Sequence, residues 1–174
     1  METRYKDSKQ QIRGLENTSE VDGDIFADMI TYALYNIGVV IQVFKSGEYQ
    51  LLFGENQQGW EIKYDSWCSK SKRLSIEIEE RTDKDSSWNP GGIYRNDNAL
   101  FYIQGNKDIA FLFIKHFLVR LHKSNKYEEK TEPTVKSFYL PFDKASKYGI
   151  EIHKPEYSKD KYWLNRGWNP QKEK

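Results

Sequence analysis

Two apolar runs near the middle of the chain constrain the fold more than any other feature. Residues 99–104 and 109–114 are rich in aromatic and branched side chains, and the polar segment Gly105-Asn106-Lys107-Asp108 separates them. A short polar break between two such runs predicts an antiparallel hairpin. Residues 109–121 are also compatible with one buried helix. We favour a strand that ends at Ile114, followed by a helix from about Lys115 to Lys123.

Further elements are predicted before this hairpin. Apolar residues at helical spacing predict a helix that is capped by Asp22 or Asp24 and ends at Gly38. The β-branched run 39–44, a turn at 45–48 and residues 49–53 predict a strand pair. Residues 59–64 predict another strand, and 65–72 a polar loop. Residues 74–79 alternate between apolar and polar, so they predict a strand with one solvated face.

After a loop over residues 82–92 and the central hairpin, a short strand is predicted at 137–140, and Asp143 is expected to cap a brief helix that ends near Gly149. Strands and helices are therefore grouped rather than strictly alternating. This order predicts an α+β fold: a mixed β-sheet with antiparallel hairpins, flanked by helices.

Length and charge limit the organisation of the chain. With 174 residues it is long enough for one domain, which we expect at residues 21–152. Residues 1–20 are predicted to be a flexible leader, and residues 153–174 an aromatic and basic tail packed on the domain. The net charge is +1, so any nucleic-acid surface must come from local patches.

The expected location is the cytoplasm. The sequence has no apolar run of about 18 residues that predicts a membrane span, and residues 1–11 do not resemble a secretory signal. Cys68 is the single cysteine, which fits a reducing compartment and excludes an intramolecular disulfide and a cysteine-rich zinc site. We therefore expect no membrane partner.

The most reactive combination of residues lies on the predicted strand 59–64. Glu61 and Lys63 are two residues apart, so on a strand both side chains point to the same face. Glu55 lies just upstream, between Gly54 and Gly59. Two acids and a lysine at a strand end can hold a divalent cation and position a water molecule, which is the minimum apparatus for hydrolysing a phosphodiester.

A helix, a strand pair and then an acid followed by Glu-x-Lys resemble the PD-(D/E)XK nuclease superfamily, which has the restriction-endonuclease-like fold. The stretch from Glu55 to Gly59-Trp60-Glu61-Ile62-Lys63 is most similar to the mismatch-repair nicking endonuclease branch, in which a short gap also precedes a Gly-x-Glu-x-Lys strand. The resemblance covers roughly residues 22–81. It implies a bacterial or phage endonuclease that hydrolyses DNA with Mg²⁺ or Mn²⁺.

The resemblance also implies roles for individual residues. Glu61 would be a metal ligand, and Lys63 would orient or activate the attacking water. Glu55 takes the place of the family's first acid, which is usually Asp. The family's helix carboxylate would fall on Asp28 or Asp24.

Other readings of these residues stay open. Glu61 and Lys63 are also compatible with an ordinary ion pair on an amphipathic strand. A competing frame uses Glu61 as the first acid and Glu77-x-Glu79 as the second pair, and Glu77 is a further candidate metal ligand if its strand lies beside that of Glu61. The chain is also compatible with a catalytically inactive nuclease-fold module that binds DNA or a protein, or with an unrelated α+β interaction domain.

Two basic groups are candidates for contacts with DNA phosphates. One follows the predicted strand 59–64 and comprises Lys70, Lys72 and Arg73. The other lies on the predicted later helix and comprises Lys115, Arg120 and Lys123. Because the net charge is near zero, we expect homodimerisation or a protein partner to supplement the affinity for DNA.

Overall fold

The structure is a computed structural model that describes residues 16–42, 49 and 56–153. The helices whose bounds lie within these residues are α1 (Glu16–Asn36), α2 (Cys68–Ser71), α3 (Lys115–Lys123) and α4 (Phe142–Tyr148), with a 3₁₀ turn at Gly92–Tyr94. Its strands are β1 (Trp60–Tyr64), β2 (Arg73–Glu80), β3 (Asn89–Pro90), β4 (Phe101–Gly105), β5 (Ile109–Ile114), β6 (Glu129–Thr131), β7 (Val135–Pro141) and β8 (Ile150–His153).

The predicted α+β class is confirmed. One four-stranded sheet has the order β1-β4-β5-β8 and is mixed, because β1 runs parallel to β4 while the other pairs are antiparallel. The second sheet has the order β3-β2-β7-β6 and is antiparallel throughout. The central hairpin forms as predicted, with Gly105 opposite Ala110, and α3 occupies the predicted range. A single helix over residues 109–121 is therefore excluded.

The two faces of the first sheet bury different partners. Ile62 and Ile103 pack against Phe26, Ile30 and Leu34 of α1. Residues directly opposite each other in a sheet share a face, so Glu61 lies on the same face as its neighbour Tyr102. That face turns toward the second sheet, since Tyr102 belongs to the core cluster that also contains the following apolar side chains of β2 and β7: Leu74, Ile76, Ile78, Phe138 and Leu140.

Side chains of the first sheet also cover the edge of β2. The backbone N–H of Ser75 donates to Asp65 Oδ2 at 3.0 Å, and Gln104 Nε2 donates to the Ser75 carbonyl at 2.7 Å. An open strand edge presents backbone groups that need partners. Asp65 and Gln104 supply them, and they thereby fix the end of β1 against the middle of β2.

Several predicted elements differ in detail. Helix α1 begins at Glu16, so residues 16–20 of the expected leader are helical, and Asp22 and Asp24 lie inside the helix rather than at its cap. It ends as predicted just before Gly38, whose φ is 87°. In the predicted loop 65–72, residues 68–71 are helical. Asp143 lies in the first turn of α4, and the capping position is Pro141.

The predicted strand pair at 39–53 is not supported where the structure describes it. Residues 39–42 have no strand assignment and Tyr49 is helical, while 43–48 and 50–55 lie outside the described residues. The predicted tail also lies outside them from residue 154 onward. Within the described part of the chain, no helix has both the length and the apolar character needed to cross a bilayer.

Candidate functional site

The Asn56 side chain and the backbone of Asn98 hold the start of β1 in place. The Asn56 side chain, fully buried, donates from Nδ2 to the Trp60 carbonyl at 2.6 Å and accepts from the Trp60 N–H at 3.0 Å, as a neighbouring strand would. Gly59 has φ of 76°, and a Cβ there would lie 2.8 Å from the Asn98 carbonyl oxygen. These contacts set the position from which Glu61 and Lys63 project.

Glu61 is the centre of the candidate site. It is 3% exposed, and its two carboxylate oxygens face two different ammonium groups. Lys63 Nζ lies 3.4 Å from Oε1, and Lys115 Nζ lies 3.6 Å from Oε2. Neither oxygen has a hydrogen-bond partner among the described residues. The ion pair expected between Glu61 and Lys63 is therefore present, but none of the described residues hydrogen-bonds to the carboxylate.

Lys115 does not belong to an exposed basic surface, which corrects the sequence-based expectation. It directly follows β5, its backbone N–H donates to the Leu100 carbonyl, and its side chain turns inward with 8% exposure. Its ammonium group lies 2.6 Å from Asp97 Oδ1 and donates to the Arg95 carbonyl at 3.1 Å. Lys115 therefore links the loop before β4 with the Glu61 carboxylate.

Glu77 brings a second carboxylate to this region. It lies at a register irregularity between β2 and β7, and the backbone of Gly92 approaches so closely that a Cβ on that glycine would lie 2.3 Å from the Glu77 carbonyl oxygen. Its Oε1 is buried and has no hydrogen-bond partner among the described residues. Burial raises the pKa of Glu77. Lys63 opposes this effect, and the carboxylates of Glu80 and Glu61 add to it.

Glu77 lies within electrostatic reach of Lys63 and Glu61, whose charges act on its pKa, although β2 belongs to the other sheet and does not pair with β1. Arg95 completes the group. Its Nη2 lies 2.7 Å from Glu80 Oε1, and although burial lowers the pKa of Arg95, the carboxylates of Glu80, Glu61 and Glu77 raise it. Glu79, the other acid of the competing frame, is instead paired with Lys136 of β7. The face of β2 that was predicted to be solvated is thus half-buried and engaged in contacts. We refer to Glu61, Lys63, Glu77, Arg95, Asp97 and Lys115 as the charged cluster.

The remaining expected acids do not join the charged cluster in the described structure. Glu55 lies outside the described residues. Asp24 and Asp28 are exposed on α1, which packs against the opposite face of β1, the one that carries Ile62. Among the residues that the structure describes, no group of three or more His, Cys, Asp or Glu side chains is arranged to hold a metal ion.

The expected basic surfaces are partly present. Lys70 and Lys72 are exposed, Arg73 is half-buried, and these three lie on α2 and the start of β2. Arg120 and Lys123 are exposed on α3. Aromatic rings accompany the first group, because the Lys70 ammonium lies 4.6 Å from the centre of the Trp67 ring and the Arg73 guanidinium 3.5 Å from that of Tyr139.

Sequence reasoning missed three residues that shape the charged cluster. Arg95 and Asp97 lie in an irregular loop, and nothing in their spacing indicated that they would face β1. Asn56 was not singled out, although an asparagine side chain can hydrogen-bond to nearby backbone groups. Protein-family models, curated proteins and solved structures were compared with the chain, and none of them matches it.

Proposed function

We propose that this chain is a metal-dependent nuclease that hydrolyses DNA phosphodiester bonds. Glu61 and Glu77 are its cation ligands, and Lys63 is the residue that positions the attacking water. One observation carries the proposal. Both oxygens of Glu61 and Oε1 of Glu77 are buried, and none of the three has a hydrogen-bond partner among the described residues.

The donor set fits a hard divalent cation. Buried carboxylate oxygens without hydrogen bonds are energetically unfavourable, and they are retained where a partner satisfies them or where function requires them. Mg²⁺ is commonly bound by one or two carboxylates, with water and substrate phosphate oxygens completing its coordination. Glu61 and Glu77 supply that number of acids from two different strands. The predicted role of Glu55 as a further ligand stays a prediction.

The protein residues contribute in distinct ways. Glu61 and Glu77 fix the position of the ligand oxygens, because one is on β1 and the other is held by the close approach of Gly92. Lys63 is 28% exposed at its side chain, so its ammonium group has access to solvent while lying beside Glu61. It can donate hydrogen bonds to a water or to a phosphate oxygen. A bound divalent cation would polarise the phosphate and lower the pKa of a coordinated water.

A second candidate function is supported by Lys115. Both oxygens of Glu61 already face an ammonium group, Lys63 on one side and Lys115 on the other. A buried network of this kind can be purely structural. The chain would then be a nuclease-fold module without catalytic activity, which binds DNA or a protein partner through its exposed basic and aromatic residues.

Cleavage of plasmid DNA tests the first proposal against the second. We expect purified protein to nick or linearise plasmid in the presence of Mg²⁺ or Mn²⁺, and EDTA to abolish the reaction. Lys63→Ala should slow cleavage by at least about 100-fold, the usual effect of removing a group that stabilises the transition state. Lys144→Ala, on the exposed surface of α4, is the matched control and should cleave at the wild-type rate. An inactive wild-type protein that still binds DNA would favour the module.

A further inference from the structure

A pocket of about 430 Å³ opens beside the charged cluster, at the end of β1. Its size is within the range of small-ligand sites. Its walls are built by aromatic, cationic, acidic and hydroxyl side chains from α2, β2, β6, β7 and the segments that follow β1 and β6. The lining residues include Asp65, Trp67, Arg73, Ser75, Lys130 and Tyr139.

Trp67 forms one wall and is unusually exposed for its size, at 64%. Its backbone is nevertheless fixed, because its N–H donates to Asp65 Oδ1 at 3.2 Å and its carbonyl accepts from the N–H of Ser71 at 2.9 Å. The indole is thus presented to solvent from a rigid support, with the Lys70 ammonium beside it. Such an exposed aromatic surface is available for stacking on a planar ligand.

Two cations flank the second aromatic wall, Tyr139. Arg73 stacks over its ring at 3.5 Å, and Lys130 hydrogen-bonds to Glu132 at 2.6 Å on the same side of the sheet. The Arg73 side chain also lies 3.6 Å from the exposed Glu128 carboxylate. Surface ion pairs of this kind are weak, so an incoming anion can replace either acid as the partner of its cation.

The pocket is the direct continuation of the charged cluster. Asp65 follows Lys63 by two residues on one side, and Ser75 precedes Glu77 by two residues on the other. The hydrogen bond between Asp65 and Ser75 joins the two at 3.0 Å. A two-residue step along a strand is about 7 Å. An extended ligand strand that passes Lys63 and Glu77 would therefore reach Trp67 and Tyr139 within the length of a few strand residues.

We propose that this pocket receives an unpaired nucleotide of the DNA strand whose phosphate lies at Glu61, Lys63 and Glu77. The base stacks on Trp67, and Arg73 and Lys130 contact the flanking phosphates. The substrate class is thus single-stranded DNA, or duplex DNA with an unpaired base. This inference rests on the proposed function for the identity of its ligand, but the binding itself involves no metal ion.

Binding of a short fluorescent oligo-dT strand in EDTA, followed by anisotropy, tests the pocket without catalysis. We expect Trp67→Ala to weaken binding about tenfold or more, which is the effect of losing one base-stacking contact, and Arg73→Gln to weaken it and to reduce its salt dependence. Trp88→Ala is the matched control. Trp88 also has cations over its ring, Arg81 at 4.2 Å and Lys136 at 4.5 Å, but it does not line the pocket.

The results of the binding and cleavage experiments distinguish the pocket proposal from the nuclease proposal. Three results would each overturn the pocket proposal. They are equal affinity for oligo-dT and for a fully paired duplex, no detectable binding of either, and equal losses of affinity in Trp67→Ala and Trp88→Ala. Tight binding through Trp67 by a protein that never cleaves DNA with Mn²⁺ would support the pocket and overturn the nuclease. Cleavage that depends on Lys63 but is indifferent to Trp67 and Arg73 would support the nuclease and overturn the pocket.

Discussion

Lys115 Nζ lies 3.6 Å from Glu61 Oε2, and this pair joins the start of helix α3 to strand β1 in the interior of the domain. The same ammonium group is 2.6 Å from Asp97. One lysine therefore lies between a buried acid, Glu61, and a largely buried one, Asp97, from different parts of the chain. The interior of the candidate site therefore contains this ammonium group as well as the Glu-x-Lys motif.

Removing Lys115 should strongly destabilise the fold. Lys115→Ala leaves the carboxylates of Glu61 and Asp97 in a buried position without their shared cation, and loss of one member of a buried pair typically costs about 3–5 kcal/mol. Urea unfolding gives the free energy directly. Lys123→Ala on the exposed end of the same helix is the control, and we expect a change within about 0.5 kcal/mol. Similar small effects for both variants would show that Lys115 is not essential to the network.

Glu77→Gln should stabilise the metal-free protein at neutral pH. Burial raises the pKa of Glu77 above its ordinary value of 4.5, so between these two values the folded state binds more protons than the unfolded state, and stability falls as pH rises. At pH 7 the buried charge of Glu77 lowers the free energy of unfolding of the wild type, and below about pH 4.5 this loss disappears. The glutamine variant carries no charge at this position at either pH.

Thermal unfolding in EDTA at pH 7 and near pH 4.5 measures the effect. The melting temperature of Glu77→Gln should exceed that of the wild type at pH 7, and the difference should shrink at the lower pH. A variant that is less stable than the wild type at pH 7 would show that attraction to Lys63 and Arg95 outweighs the burial of the charge.

Gly59→Ala should lower the stability and disturb the site together. Alanine is strained at a φ of 76°, and its Cβ would lie 2.8 Å from the Asn98 carbonyl oxygen, a backbone atom that cannot move independently. We expect a loss of about 1–3 kcal/mol in the free energy of unfolding. Gly23→Ala is the control, because a Cβ there meets nothing within 4 Å, and alanine is favoured over glycine in a helix. An unchanged stability in Gly59→Ala would argue against the close approach of the 97–100 loop.

Cys68 should be unreactive in the native protein. The side chain is fully buried, and burial raises the pKa of the thiol from 9.0 to about 12. The reactive thiolate is therefore nearly absent at pH 8. Iodoacetamide should modify the protein rapidly in denaturant and very slowly without it, as mass spectrometry can follow. Because the unfolded chain loses this proton first, stability should also fall as pH rises above about 9. Rapid native alkylation would contradict the burial of Cys68.

The sequence predicted the elements whose patterns are local. The hairpin at β4 and β5, helix α3 and the alternation of Leu74, Ile76 and Ile78 were all visible as periodicities. The separation of the strands into two sheets was not predictable from such local patterns. Strand β1 pairs with β4 across more than 30 intervening residues, and the spacing of residues in the sequence does not indicate such a pairing.

The candidate site was predictable only in part for the same reason. Glu61 and Lys63 share a strand face by simple alternation, so their proximity follows from the sequence. Lys115 looked like a member of an exposed basic helix face, yet its place at the junction of β5 and α3 turns it inward. The helix carboxylate that the family resemblance implied is exposed on the other side of the sheet, where α1 packs through Phe26 and Ile30.

Calorimetric titration with Mn²⁺ measures whether Glu61 and Glu77 share one cation. We expect saturable binding to the wild type, little or none to Glu61→Gln or Glu77→Gln, and unchanged binding to Glu79→Gln, whose side chain is paired with Lys136. Absence of binding to the wild type, or equal binding to wild type and Glu61→Gln, would contradict the shared cation.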